Sequence, residues 1–139
     1  RDGHPVIDWL AAGDPTTRYT TSVCTGSVLL GAAGLLSGLT ATSHWCALDQ
    51  LEAFGATPTL QRVVEQGKVI TAAGVSSGID MALTLTAHLY GAEVAQAIQL
   101  GMEYDPQPPF DAGSPTKAPA EIVELVRMIT DQAETASLA

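Results

Sequence analysis

The sequence predicts an α/β fold with a mostly parallel β-sheet. Runs of β-branched residues alternate along the chain with longer apolar runs of helical spacing, as in strands joined by helical crossovers. Two junctions, at residues 22–26 and 73–79, pass from a strand through small residues directly into a helix. A chain of 139 residues with 46% apolar composition is long enough for one domain with a core and too short for two domains. We therefore expect a single domain over residues 1–139.

Each element follows from its local pattern. Short β-branched runs predict strands over residues 18–23, 39–43, 60–64 and 69–73. Apolar residues at helical spacing predict helices over residues 6–12, 25–36, 45–54, 79–90 and 92–103, and around 122–129. Pro5 suits the first turn of the opening helix, whereas Gly55 and Gly91 mark helix ends.

The second half of the chain carries two further local signals. Ser77 and Asp80 have the spacing of a capping box, which we favour as the role of Asp80. The helix over residues 79–90 is apolar nearly all round, so we expect it to be deeply buried. Residues 104–117 are rich in proline and predict an ordered loop on the surface.

Charge and composition exclude several classes of function. Lys and Arg total 6 against 15 Asp and Glu, which gives a net charge of −9. A chain without a basic patch is not expected to bind nucleic acid or an anionic membrane surface. No apolar run reaches the roughly 18 residues of a membrane span, and no secretory signal opens the sequence. Two cysteines make no disulfide framework, so a reducing cytoplasmic setting is expected.

Cys24 lies at the first strand-to-helix junction and is the strongest candidate for a reactive residue. A nucleophile held on such a turn needs small residues two positions before and after it, and Ser22 and Gly26 meet that need. Backbone N–H groups near the start of a helix would stabilise a thiolate there. The alternative is a buried structural cysteine, which is common in protein cores.

An ordered set of motifs resembles the ThiJ/PfpI superfamily, which has the class I glutamine amidotransferase-like fold. The motifs are SVCTG at 22–26, AAGLLSG at 32–38 and TATSHW at 40–45. Two later segments, GVSSGID at 74–80 and MEYDPQPPFDAGSP at 102–115, resemble the isocyanide (isonitrile) hydratase branch. The resemblance implies a flavodoxin-like, three-layer αβα sandwich. It also implies a homodimer that hydrates isocyanides to N-substituted formamides without cofactor or metal.

The resemblance also accounts for the few strands available beside residues 18–23. Members of the superfamily carry a further portion before the position of Val6, with the first strands and an acidic residue that hydrogen-bonds the nucleophile. The chain starts at Arg1 without a methionine. We therefore expect it to be the C-terminal part of the domain, inactive without the N-terminal portion.

The resemblance assigns roles to the residues around Cys24, each with a structural alternative. Thr25 stands where PfpI-type proteases carry histidine, and in the hydratase branch it helps to hold the acidic partner; otherwise it is a helix N-terminal residue. His44 is expected near the pocket, as a ligand-orienting or a hydrogen-bonded structural residue, and His44 with Cys46 is too small a set for a metal site. The remaining pocket residues are expected to be Gly26, Gly74, Val75 and Ser76.

Two other functions remain open on the sequence. AraC-type transcription regulators carry a similar domain with the His44-Trp45 motif, so the chain could be a ligand- or redox-sensing module. Other members of the superfamily act on small aldehydes in a glyoxalase-like reaction. In each case Cys24 is the residue on which the function depends.

Overall fold

A computed structural model describes residues 3–137 of the chain. The chain divides into two compact units, Arg1–Tyr104 and Asp105–Ala139. The helices of the first unit are α1 (Pro5–Gly13), α2 (Gly26–Ala32), α3 (Leu48–Glu52), α4 (Ser77–Tyr90) and α5 (Ala92–Gly101). Its strands are β1 (Thr20–Val23), β2 (Thr40–Ala41), β3 (Thr57–Pro58), β4 (Val63–Gln66) and β5 (Val69–Ala72). Short 3₁₀ helices cover Asp14–Thr16 and Trp45–Ala47.

The strands form a parallel-containing sheet, as the sequence predicts. The order is β1-β5-β4, with β1 parallel to β5 and β4 antiparallel to β5. Val23 is paired with Ala72, so the carboxyl ends of β1 and β5 lie at the same edge of the sheet. A second parallel pair joins β2 to β3, with Thr40 opposite Thr57.

Strand β5 shows how the sheet is covered on both faces. All of its residues are buried, and side chains alternate between the two faces of a strand. Val69 packs into a core with residues of α2 and α3, among them Leu30 and Leu51. Ile70 packs on the opposite side in a core with Met81 of α4. The sheet therefore lies between two helical layers, which is the predicted αβα arrangement.

The structure corrects several element boundaries. Helix α2 ends at Ala32 and not at residue 36, because the chain turns there: the Gly34 N–H donates to Gly31 O at 2.8 Å, and Gly34 adopts a φ of 82°. The prediction of a deeply buried helix over residues 79–90 is wrong. The buried residues of α4 are Ser77 and Met81, because the sheet covers one face of the helix. Strand β3 was not predicted.

A polar cluster fixes the start of β1, at the edge of the sheet opposite Cys24. Thr20 Oγ1 donates to Asp14 Oδ1 at 2.6 Å, and Lys68 Nζ lies 3.0 Å from Asp14 Oδ2. The hydrogen bond from Thr20, together with Lys68, outweighs the effect of burial and lowers the pKa of Asp14. The cluster ties the start of β1 to the turn between β4 and β5.

The second unit consists of a loop and helix α6 (Ala120–Ser137). The N–H groups of Lys117 and Ala118 donate to Ser114 O, and Lys117 Nζ lies 2.8 Å from Asp111 Oδ1. Within the described residues no helix is both long and apolar enough to cross a membrane.

Gly31 provides a test of the packing between α2 and Phe54, in the turn after α3. A Cβ atom at Gly31 would lie 2.5 Å from Cδ2 and 3.1 Å from Cβ of Phe54, too close for the phenyl ring alone to relieve. Gly31→Ala should therefore lower the free energy of unfolding by about 1–3 kcal/mol, as overpacked cores do. Urea denaturation measures the difference.

Gly101→Ala is the matched control, because Gly101 is also helical and nothing lies within 4 Å of the added Cβ. This variant should be as stable as the parent or slightly more stable, since alanine has the higher helix propensity. Equal stability of Gly31→Ala and the parent would contradict the packing described.

Candidate active site

Cys24 lies directly after β1, on a sharp turn into α2. Its φ of 59° is left-handed, a conformation that costs a non-glycine residue about 1–2 kcal/mol. Hydrogen bonds on both sides hold it there. The Cys24 N–H donates to Ala73 O at 2.8 Å and to Ala72 O at 3.1 Å, and the Cys24 carbonyl accepts from Ser43 Oγ at 2.9 Å. The turn is thus bound to the ends of two other segments.

The turn requires small residues on both sides, as the sequence indicates. A Cβ atom added to Gly26 would lie 3.6 Å from the Cβ of Ser22, so larger side chains at these positions would collide. Ser22 is buried and Cys24 is half-buried. The thiol therefore lies at the carboxyl edge of the sheet, where open α/β sheets bind ligands.

Buried hydroxyl groups lie next to this turn. Ser22 Oγ and Ser27 Oγ are 2.8 Å apart, and Ser27 Oγ donates to Thr42 O at 2.6 Å. The Thr42 N–H in turn donates to Thr71 Oγ1 at 3.0 Å. These bonds connect β1, α2, the segment after β2, and β5 in one network, with every hydroxyl residue at most 7% exposed.

The loops that follow β2 and β5 meet beside Cys24. His44 is half-buried, and a Cβ atom added to Gly74 would lie 3.4 Å from its Cδ2. His44 Nδ1 accepts the N–H of Cys46 at 3.3 Å, so a neutral His44 carries its proton on Nε2. This hydrogen bond caps the 3₁₀ helix and is the structural role that the sequence offered for His44. It leaves Nε2 as the atom available to a ligand.

The other predicted site residues are more exposed. The side chains of Thr25, Val75 and Ser76 are exposed, with Val75 at 80%. Thr25 stands at the N-cap of α2, but its side chain makes no capping hydrogen bond to the described backbone. The structure therefore groups Cys24, His44 and Gly74 at the carboxyl edge of the sheet, with Thr25, Val75 and Ser76 on the solvent side of the same turns.

The capping role predicted for Asp80 is wrong, because its carboxylate serves a different interaction. Arg62 Nε donates to Asp80 Oδ2 at 2.7 Å, and Tyr104 Oη donates to Asp80 Oδ1 at 2.6 Å. Arg62 also reaches Ser76 Oγ, at 3.5 Å, and accepts the Ala73 N–H on its backbone carbonyl. Arg62 therefore holds both ends of the loop that precedes α4.

This network shifts the titration of its members. Burial acts to raise the pKa of Asp80, but the hydrogen bonds from Tyr104 and Arg62 outweigh it and hold that pKa below its usual value. The hydrogen bond to Asp80 raises the pKa of Tyr104. Sequence reasoning did not find this network, because its members lie far apart along the chain and carry no shared motif.

Metal ligands are not concentrated near the turn. Within the part of the chain that the structure describes, no group of three or more His, Cys, Asp or Glu side chains could hold a metal ion. The reactive groups that the turn offers are therefore a thiol, a histidine and backbone N–H groups.

Comparison with known proteins identifies relatives of the chain. The profile of the DJ-1/PfpI family matches residues 6–88. The isonitrile hydratase of Pseudomonas putida is 50% identical over 121 residues, which are 87% of this chain and 53% of that protein. The HTH-type transcriptional regulator CdhR of Pseudomonas aeruginosa is 37% identical over 92 residues, which are 65% of this chain and 27% of the regulator. The chain thus spans about half of the length of the hydratase.

Solved structures show the same fold. A ThiJ/PfpI family protein from Pseudomonas syringae superposes with a TM-score of 0.87 at 45% identity, covering 91% of this chain and 52% of that protein. The oxidized DJ-1 of Toxoplasma gondii superposes with a TM-score of 0.63 at 29% identity, covering 74% of this chain and 55% of that protein. These similarities confirm the flavodoxin-like fold class.

Asp80→Asn tests the network around Arg62 by its dependence on pH. The pKa of Asp80 is lower in the folded chain, so its stabilising effect is complete above the unfolded pKa, about 4. The effect is lost as the pH falls through the folded value. Urea denaturation should show the variant less stable than the parent at pH 7, with a difference that shrinks below about pH 4.

Asp111→Asn is the control, because that carboxylate is 82% exposed in its ion pair with Lys117. Exposed pairs contribute little to stability, so this variant should follow the parent at every pH. A constant difference between Asp80→Asn and the parent from pH 7 to about pH 3 would contradict the role of the ionised carboxylate.

Proposed function

The chain belongs to the DJ-1/PfpI family, and on that premise we propose that it carries the nucleophile of an isocyanide hydratase. The observation that carries the proposal is the similarity over 87% of the chain to an isonitrile hydratase, joined to a half-buried thiol on a strained turn. The substrate is an isocyanide, the product an N-substituted formamide, and the reaction class that of a lyase.

The reaction begins with attack of the Cys24 thiolate on the terminal carbon of the isocyanide. A proton delivered to that carbon gives a thioimidate, in which carbon is bonded to sulfur and doubly bonded to nitrogen. Water then adds to the carbon and a proton passes to nitrogen. The carbon–sulfur bond breaks, releasing the formamide and restoring the thiol, so that one isocyanide and one water give one formamide. No cofactor or metal takes part.

The residues around Cys24 are proposed to hold the acidic partner, stabilise negative charge and orient the substrate. The hydroxyl of Thr25 is exposed beside the thiol, where it would hold an acidic partner, and the Thr25 N–H would stabilise developing negative charge. Gly26, which has no side chain, would leave the approach to sulfur open. The Nε2–H of His44 would orient the substrate in a pocket to which Gly74, Val75 and Ser76 contribute.

The acidic partner of Cys24 is proposed to come from outside these 139 residues. Within the described residues, Cys24 hydrogen-bonds to backbone groups of Ala72, Ala73 and Ser27 and to the hydroxyl of Ser43. The hydratase relative is about twice as long as the match. We expect the chain alone to be inactive, and activity to return on mixing it with the part of the Pseudomonas putida enzyme that lies outside the match. Full activity of the chain alone would contradict a divided site.

We further propose a homodimer in the cytoplasm that binds a small electrophile, with neither nucleic acid nor membrane as partner. The net charge of −9 supports the absence of nucleic acid and membrane partners, because both carry negative charge. Light scattering of the purified protein measures the oligomeric state.

A ligand- or redox-sensing module is the second candidate, favoured by the identity to the CdhR regulator. Such a module binds a small molecule or is oxidised at Cys24, without turnover of isocyanide. A glyoxalase-like activity is the third, and predicts Cys24-dependent consumption of methylglyoxal in place of isocyanide.

Replacement of Cys24 tests the proposed function directly. In the active protein, Cys24→Ala should lower the rate of formamide formation from an alkyl isocyanide by about a thousandfold or more, because the covalent intermediate cannot form. Cys46→Ala, the control at the other cysteine, should retain most of the parent rate. Hydration by Cys24→Ala at the parent rate would overturn the mechanism.

A further inference from the structure

The side chain of Ser43 is bound to the backbone of Cys24. Its side chain is 1% exposed, and its Oγ donates to the Cys24 carbonyl at 2.9 Å. The Cys24 N–H donates to Ala73 O at 2.8 Å. The peptide groups before and after the Cα of Cys24 are therefore both fixed, and these peptides define φ and ψ of the residue. Neither bond involves the thiol itself.

The segment that carries Ser43 is itself held in place. Thr42 donates its N–H to Thr71 Oγ1 of β5 at 3.0 Å and accepts from Ser27 Oγ of α2 at 2.6 Å. Ser43 is thus anchored by its neighbour to both the sheet and the helix that flank the turn. A hydroxyl held this firmly can oppose the relaxation of a strained residue.

The remaining contact of the Cys24 carbonyl is weaker. The Ser27 N–H reaches that oxygen at 3.4 Å, beyond the usual range of an N–H···O bond. Loss of the Ser43 hydroxyl would leave the carbonyl with this long contact as its remaining described bond. The hydrogen bonds of the Cys24 N–H to Ala72 O and Ala73 O would remain, but the peptide after Cys24 would be held more weakly. The strained residue could then relax toward other backbone angles and displace the thiol.

We propose that Ser43 is a positioning residue for Cys24: its buried hydroxyl holds the Cys24 peptide in the left-handed conformation that presents the thiol to substrate. The proposal rests on the proposed function in one respect: it takes Cys24 as the reactive group. It predicts that the reactivity of the thiol, and not only the stability of the fold, depends on Ser43.

Alkylation by iodoacetamide tests the proposal without any isocyanide. Mass spectrometry of the peptides that contain Cys24 and Cys46 gives both rates in one sample, so that Cys46 reports any general unfolding. In Ser43→Ala, Cys24 should react about fivefold more slowly at pH 7 while the Cys46 rate is unchanged, so that the ratio of the two rates falls about fivefold. A Cys24 rate equal to the parent's, or a faster reaction, would overturn the proposal.

Thr20→Val is the matched control, because it removes a buried hydroxyl that hydrogen-bonds Asp14 Oδ1 at the end of β1 opposite Cys24. Its free energy of unfolding should fall by a similar amount, and the alkylation rate of Cys24 should stay at the parent value. If Thr20→Val slows Cys24 as much as Ser43→Ala does, the effect comes from general stability and the proposal fails.

If Ser43→Ala does not fold, Cys46 will be alkylated rapidly. Ser43→Thr is then tested in its place. It retains the hydroxyl and should keep the parent alkylation rate at Cys24. A folded Ser43→Thr in which Cys24 reacts as slowly as expected for Ser43→Ala would overturn the proposal. Because alkylation needs no substrate, an absence of isocyanide hydration would contradict the proposed function and leave this test intact.

Discussion

The left-handed conformation of Cys24 is the constraint on which the rest of the site depends. A residue with a φ of 59° stays there only when its surroundings outweigh the steric cost. The parallel pairing of β1 with β5 brings Ala73 O within 2.8 Å of the Cys24 N–H, and the segment after β2 supplies Ser43 on the other side. The sheet, helix α2 and the loop after β2 thus hold one strained residue, Cys24, at the end of β1, where its thiol projects from the turn.

The same constraint explains why small residues surround the turn. A Cβ atom added to Gly26 would already lie in van der Waals contact with Ser22. On the far side, a Cβ atom added to Gly78 would lie 3.1 Å from Val23 Cγ1, so α4 packs closely on the last residue of β1. Arg62 then fixes the loop before α4 through Asp80 and the Ala73 N–H. The site is built from backbone held in place, with few reactive side chains.

The sequence predicts the parts of this arrangement that depend on local chemistry. Alternating strand and helix patterns indicate the fold, and the small residues beside Cys24 indicate the turn. Asp80 was misread because a capping box is a local pattern, whereas its actual partners, Arg62 and Tyr104, are 18 and 24 residues away. The exposure of α4 was misread because apolar composition does not say which faces the sheet covers. Ser43 lies within the TATSHW motif at 40–45, but its hydrogen bond to the Cys24 carbonyl is visible only in the structure.

The relative stability of Cys24→Gly and Cys24→Ala tests the constraint most directly. Glycine adopts a left-handed φ without a Cβ penalty, whereas alanine retains that penalty. The account predicts that in urea denaturation Cys24→Gly is at least as stable as Cys24→Ala, although glycine costs about 0.5–1 kcal/mol at ordinary helix and strand positions. Ala82→Gly, at an exposed position of α4, supplies that ordinary cost for comparison. The contrary result is that Cys24→Gly is less stable than Cys24→Ala, by the same amount by which Ala82→Gly is less stable than the parent. In that case Cys24 is not held in the left-handed conformation and the account is wrong.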